Sequence, residues 1–142
     1  DLQYLYGLAR AGHTEAARAL LHNITTHAAT RTEAHERTVW QQVCLPAAHG
    51  LLAHAQGDWA TAVEQLGVAL PRLVEIGGSH AQRDLFHQIW LDALQRNGQW
   101  AAVQNLLQPL CNAQPQSARL ARQVRRVNQA LGLPDPTPPD FE

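Results

Sequence analysis

The sequence predicts an all-α fold of antiparallel helix pairs stacked as a solenoid. Two observations carry this. Every periodic segment repeats its apolar residues at helical spacing and none alternates as a strand does. One local pattern also recurs three times: a helix ends, a Gly turns the chain, and a new helix begins with Ala or Val five residues on.

The three copies read Ala11-Gly12-His13-Thr14-Glu15-Ala16-Ala17, then Gln56-Gly57-Asp58-Trp59-Ala60-Thr61-Ala62, then Asn97-Gly98-Gln99-Trp100-Ala101-Ala102-Val103. Glycine supplies the left-handed backbone that closes a helix. Asp58 has the chemistry of an N-cap. Trp59 and Trp100 follow as large anchors, and Ala17, Ala62 and Val103 are small enough for paired helices to approach closely. Further apolar positions continue at helical spacing: Leu21 and Ile24, Leu66 and Ala69, Leu107 and Leu110.

The pattern places helices near residues 2–11, 14–28, 33–56, 59–76, 80–97, 100–113 and 117–131. The third is expected to kink or restart at Pro46, which has no N–H to donate. Short links between such helices give an antiparallel stack. The repeat domain spans 1–133. Residues 134–142, Pro-Asp-Pro-Thr-Pro-Pro-Asp-Phe-Glu, are expected to be a Pro-rich acidic tail, extended or disordered. The chain begins at Asp1 and contains no Met, as expected of a piece excised or processed from something longer.

These residues resemble the tetratricopeptide repeat. The middle copy is most similar: Gly50, Gly57, Trp59, Ala62, Leu66, Ala69 and Leu70 fall on the family's signature positions. The third keeps Gly98, Trp100, Val103, Leu107 and the closing Pro115, with Leu91 where an early Gly or Ala stands in the family. The first keeps Gly12, Ala17 and Leu21, with Thr14 at the aromatic position. The turn glycines are 45 and 41 residues apart, against about 34 in the family. The excess implies longer than usual helices, by two to three turns, or extra loop, most of it between Thr30 and Gln56. The segment Ile76-Gly77-Gly78-Ser79-His80-Ala81-Gln82-Arg83-Asp84-Leu85-Phe86 resembles the tetratricopeptide repeat protein 38 family, in its C-terminal part.

The resemblance implies that the first helix of each pair lines a concave groove. That puts Tyr6 and Arg10, then Ala47, Leu51 and His54, then Gln88, Asp92, Gln95 and Arg96 on one side. This groove is mixed in character and lacks the Lys and Asn set with which some family members clamp a C-terminal carboxylate. The expected function is a non-catalytic scaffold that binds a peptide, a partner helix or the rest of its own chain. The second reading is the scaffold half of a larger helical enzyme, with a polar site near His80, Arg83 and Asp84.

Composition bounds the alternatives. The formal net charge is −1, so bulk electrostatics do not drive the chain toward nucleic acid or an anionic membrane. No run of about 18 apolar residues occurs, as a membrane span needs. Cys44 and Cys111 stand among apolar residues and read as structural thiols of a reducing, cytoplasmic setting. A Gly-x-Ser-x-Gly elbow is missing and no cofactor motif is present, so no cofactor is expected.

Three constellations remain. His80, Asp84 and His87 share one helix face and could approach one metal ion, but one face rarely closes a coordination shell, so no metal is expected. Gly77-Gly78-Ser79 before a helix could cradle an anion or could be a helix end followed by a capping box of Ser79 and Gln82. Arg83 and Asp84 are left over by capping, and a buried ion pair would account for them. Arg119, Arg122, Arg125 and Arg126 form a basic stripe that meets solvent, RNA or an acidic partner, while Leu120, Val124, Val127 and Leu131 lie on the other side to dock.

Overall fold

The computed structural model describes residues 1–135, and all of their regular structure is helical. Residues 136–142, most of the expected tail, lie outside the described residues. The elements are α1 (Leu2–Arg10), α2 (Thr14–Thr30), α3 (Ala34–Val39), a π-helical segment (Trp40–Cys44), α4 (Leu45–Ala55), α5 (Trp59–Ala69), a 3₁₀ helix (Leu70–Ile76), α6 (His80–Arg96), α7 (Trp100–Ala113) and α8 (Ala118–Leu131). The chain forms two compact units, Asp1–Ala93 and Leu94–Glu142.

The turns follow local chemistry. Gly12, Gly57 and Gly98 take φ values of +80°, +78° and +74°, where a Cβ is strained. Asp58 accepts the Thr61 N–H at 3.2 Å, and hydrogen bonding from Thr61, its side chain first and its backbone second, holds the Asp58 carboxyl below the ordinary value. Ser79 and Gln82 close a reciprocal capping box: Gln82 N–H donates to Ser79 Oγ at 3.2 Å, and Ser79 N–H donates to Gln82 Oε1 at 2.8 Å. Ser117 caps α8 through the Leu120 N–H at 3.4 Å, and Gly132 ends it in the left-handed region.

The α-helix restarts at Pro46, as expected: Pro46 falls in the first turn of α4, and the turn before it is widened into the π segment, with Leu45 N–H bonded to Trp40 C=O five residues back. A π-turn absorbs a missing amide without ending the helix. At Pro71 the opposite adjustment occurs. The helix expected over 59–76 tightens after Ala69 into 3₁₀ geometry. Pro109 is tolerated inside α7.

In the first unit, α4 packs on α1 and on α5. One apolar cluster joins Val43, Ala47, Leu51, Leu66, Ala69, Leu73, Phe86 and Ile89, and another joins Leu5, Ala17, Ile24 and Ala48. Ala53, Ala62 and Ala93 form a third, of small residues. In the second unit α7 packs on α8, with Val103, Leu107, Leu120 and Val127 buried. The repeated small position is buried in all three copies: Ala17, Ala62 and Val103. The position nine residues after each turn glycine is buried at Leu66 and Leu107 and half-buried at Leu21. Twelve residues after, Ile24 and Ala69 are buried but Leu110 is exposed, so the third copy's apolar stripe is shorter than expected.

The α4–α5 approach is tightest at Gly50. A Cβ there would stand 2.6 Å from Leu66 Cγ and 2.9 Å from the Leu66 backbone nitrogen. Gly50→Ala is therefore expected to destabilise by about 1–3 kcal/mol, the usual result of overpacking. Gly7 in α1 has nothing within 4 Å of its Cβ position. Gly7→Ala is expected to stabilise by about 0.5–1 kcal/mol through helix propensity. Urea unfolding of the two variants checks the opposite signs. A neutral Gly50→Ala would show that α4 and α5 stand further apart.

Candidate functional site

Three residues expected on the groove side meet one another. Tyr6 on α1, His54 on α4 and Asp92 on α6 form a hydrogen-bonded chain. Tyr6 Oη stands 3.1 Å from His54 Nδ1, and His54 Nε2 stands 2.7 Å from Asp92 Oδ2. The assignment that satisfies every atom has the Tyr6 hydroxyl donating to Nδ1 and Nε2–H donating to the carboxylate. The imidazole is 6% exposed, and the rings of Tyr6 and Trp59 lie 5.8 Å and 5.2 Å from it. The order hydroxyl, imidazole, carboxylate is that of a proton relay. The clefts described below are lined by other residues. The arrangement ties three helices together.

The rest of the expected groove is only partly open. Ala47 and Leu51 belong to the core cluster, because α4 is covered on both α1 and α5 sides. Their assignment to a ligand-facing surface is corrected. Gln88 is half-buried and Arg10 exposed. In the second unit, Gln95 is half-buried and accepts a hydrogen bond from Arg126 Nη1 at 3.4 Å, and Arg96 is exposed.

The Arg83–Asp84 pair does not form. Arg83 turns back to donate to the Gly77 and Gly78 carbonyls, and Asp84 is exposed. Adjacent helix residues point about 100° apart, and the unbonded carbonyls at the end of the 3₁₀ helix compete better for the guanidinium. His80, Arg83, Asp84 and His87 line a shallow cleft of about 180 Å³ with Leu70, Pro71, Leu73 and Val74. Among the described residues, no group of three or more His, Cys, Asp or Glu is gathered to hold a metal ion.

The larger opening in the first unit lies elsewhere. A cleft of about 560 Å³ is bounded by the end of α2, α3, the π segment, the end of the 3₁₀ helix and the starts of α1 and α6. Its walls carry Leu2, Ile24, Val39, Trp40, Ile76 and Phe86, and its rim carries Asp1, His27, Arg31, His35, Glu36, Glu75, Gln82 and Arg83. Glu75 is engaged by Arg72 at 2.5 Å. That bond holds its carboxyl below the ordinary value, with His35 adding to the effect. Arg31 has only a long ion pair to Glu36, 3.8 Å, and its Nε is buried with no hydrogen-bond partner. Cys44 also borders the cleft, and burial pushes its thiol up to about 11. Sequence reasoning missed this cleft, since His27, Arg31, His35 and Trp40 show no motif and come together only in the fold. In the second unit, a cleft of about 550 Å³ runs between α7 and α8.

No protein-family model and no solved structure matches the chain. Among the described residues, no helix is long and apolar enough to cross a membrane.

His54→Ala is expected to destabilise by about 2–4 kcal/mol, since it opens a cavity and removes two part-buried hydrogen bonds. Asp84→Ala should stay within about 0.5 kcal/mol of the parent, as exposed substitutions do. Chemical denaturation of both variants checks the contrast. A His54→Ala protein as stable as the parent would show that the imidazole does not tie the helices.

Proposed function

We propose that the chain is a tetratricopeptide-like helical-repeat scaffold that binds a peptide, a partner helix or another part of its own parent chain, and is not itself a catalyst. The repeated turn geometry supports the repeat reading: three glycines with φ near +75° to +80°, each followed five residues on by a buried small residue. The resemblance to the tetratricopeptide repeat, and to the tetratricopeptide repeat protein 38 family, belongs to this proposal.

The observation that carries the binding reading is the 560 Å³ cleft of the first unit. It has apolar walls, a polar rim and a guanidinium whose Nε lacks a partner. Recognition sites combine an apolar wall with a few orienting polar groups in this way. The groove expected from the register supports binding less well, because Tyr6, His54 and Asp92 are engaged with one another. The enzyme reading finds little support at His80, Arg83 and Asp84, where the guanidinium is held by backbone carbonyls and the cleft is small.

An unpaired buried donor costs stability, on the order of 1–3 kcal/mol, which a bound acceptor would recover. Arg31→Met keeps the apolar stem and removes that donor. It is expected to leave the melting temperature unchanged or higher. Peptides selected on the parent chain from a random displayed library are expected to bind the variant about tenfold more weakly, the equivalent of one good hydrogen bond. Selected peptides indifferent to Arg31→Met would remove this cleft as the binding site.

A further inference from the structure

Arg31 reaches the first unit's cleft from a backbone that is itself held. α2 ends at Thr30, and Arg31 follows in extended conformation, with φ −66° and ψ 126°. Arg37 pins the turn by donating from Nε to the Arg31 carbonyl at 3.2 Å and from Nη2 to the Thr32 carbonyl at 2.9 Å. The guanidinium that this turn delivers to the cleft is under-used. Its Nη1 stands 3.8 Å from an oxygen of the exposed Glu36, and its Nε is buried without an acceptor among the described residues. The neighbouring arginines are engaged: Arg72 grips Glu75, and Arg83 donates to the Gly77 and Gly78 carbonyls.

Charge around the cleft limits its occupant. Arg31 and Arg83 line it together with Asp1, Glu36 and Glu75, and Arg72 neutralises Glu75 from outside. Counted with Arg72, these side chains are formally balanced. One negative charge is therefore received by Arg31, while a second would meet Asp1 and Glu36. The apolar surface still to be covered belongs to Leu2, Trp40 and Ile76, each half-buried. The His27 ring stands edge-on to the Trp40 indole, with centroids 4.4 Å apart, which sets the indole in place.

We propose that this cleft recognises a single carboxylate joined to an aromatic or aliphatic body. The carboxylate bonds the Nε edge of Arg31, and the body covers Leu2, Trp40 and Ile76. A neutral carbonyl would satisfy the donor and leave the charge unmatched. A carboxylate fits the guanidinium fork with a charge-assisted bond about twice as strong. The inference rests on the scaffold reading for the source of that group, an Asp or Glu side chain beside large apolar residues of the bound peptide.

Small probes test the chemistry without a peptide. Hydrocinnamate carries one carboxylate on a phenyl-terminated chain, and hydrocinnamamide is its neutral counterpart. Benzyl phosphate is mostly dianionic above its second pKa of about 6. The Arg31 Nε–H resonance, assigned by its loss in Arg31→Met, is followed in proton–nitrogen correlation spectra of the full chain at about pH 7.5, where the carboxylate is ionised. Hydrocinnamate is expected to shift that resonance saturably and to bind at least about tenfold more tightly than the amide, with benzyl phosphate no tighter than the acid. Titration calorimetry of Arg31→Met should show the acid losing its advantage over the amide, with an unchanged circular dichroism spectrum showing that the helices remain. An amide that binds as well as the acid, an Arg31 resonance that the acid leaves unmoved, or a phosphate that binds more tightly overturns the proposal. Peptides selected on the parent chain from a random displayed library then separate the two readings. Replacing each carboxylate of a selected peptide by its amide should weaken binding about tenfold at one position. Peptides indifferent to every such replacement overturn the carboxylate and leave the scaffold reading standing. A bound acid with no selectable peptide keeps the carboxylate site and removes the scaffold reading.

Discussion

The approach of α4 to α5 is the constraint on which the first unit depends. At Gly50 there is no room for even one carbon beyond the Cα, because the Leu66 backbone and side chain occupy that space. One more small residue extends the contact. Ala62 lies in the alanine cluster with Ala53 and Ala93. On the α6 side, the Trp90 indole Nε1–H donates to the Val63 carbonyl at 3.0 Å. Close helix packing places α4 near enough to α1 and α6 for His54 to reach both Tyr6 and Asp92.

Much of the helical organisation was legible because its signals are local. A turn glycine, a cap and a helical apolar period each act within a few residues, and Gly57-Asp58-Trp59 and the Ser79–Gln82 box read the same in sequence and structure. The proline positions were less legible. Proline removes one amide whatever surrounds it, but whether the backbone breaks, widens or tightens depends on what packs against it. Pro46 gave a π turn and Pro71 a 3₁₀ helix. The candidate site was legible only in part. The resemblance to a helical repeat implied that Tyr6, His54 and Asp92 share one side, but it carries no information on whether aligned polar groups face solvent or one another. Arg83 failed as a pair for Asp84 for a related reason: sequence proximity suggested the partner, while free carbonyls at a helix end supplied a better one.

The Tyr6–His54–Asp92 chain bears on where a ligand can be recognised. A buried polar chain is costly unless every member is satisfied, and here the imidazole uses both nitrogens within the protein. Such a network specifies helix register more than it adds stability, since an apolar replacement of the same shape would avoid the desolvation cost. Drawing the imidazole into the fold removes it as a ready contact for a partner. Recognition then falls to surfaces where polar groups are left under-used. Arg31 has a guanidinium Nε with no acceptor. It borders the apolar wall of the first unit's cleft, so a ligand that supplies an acceptor also gains the burial of its own apolar surface. The two contributions reinforce each other, because water leaving the seam strengthens the charge-assisted bond at its edge.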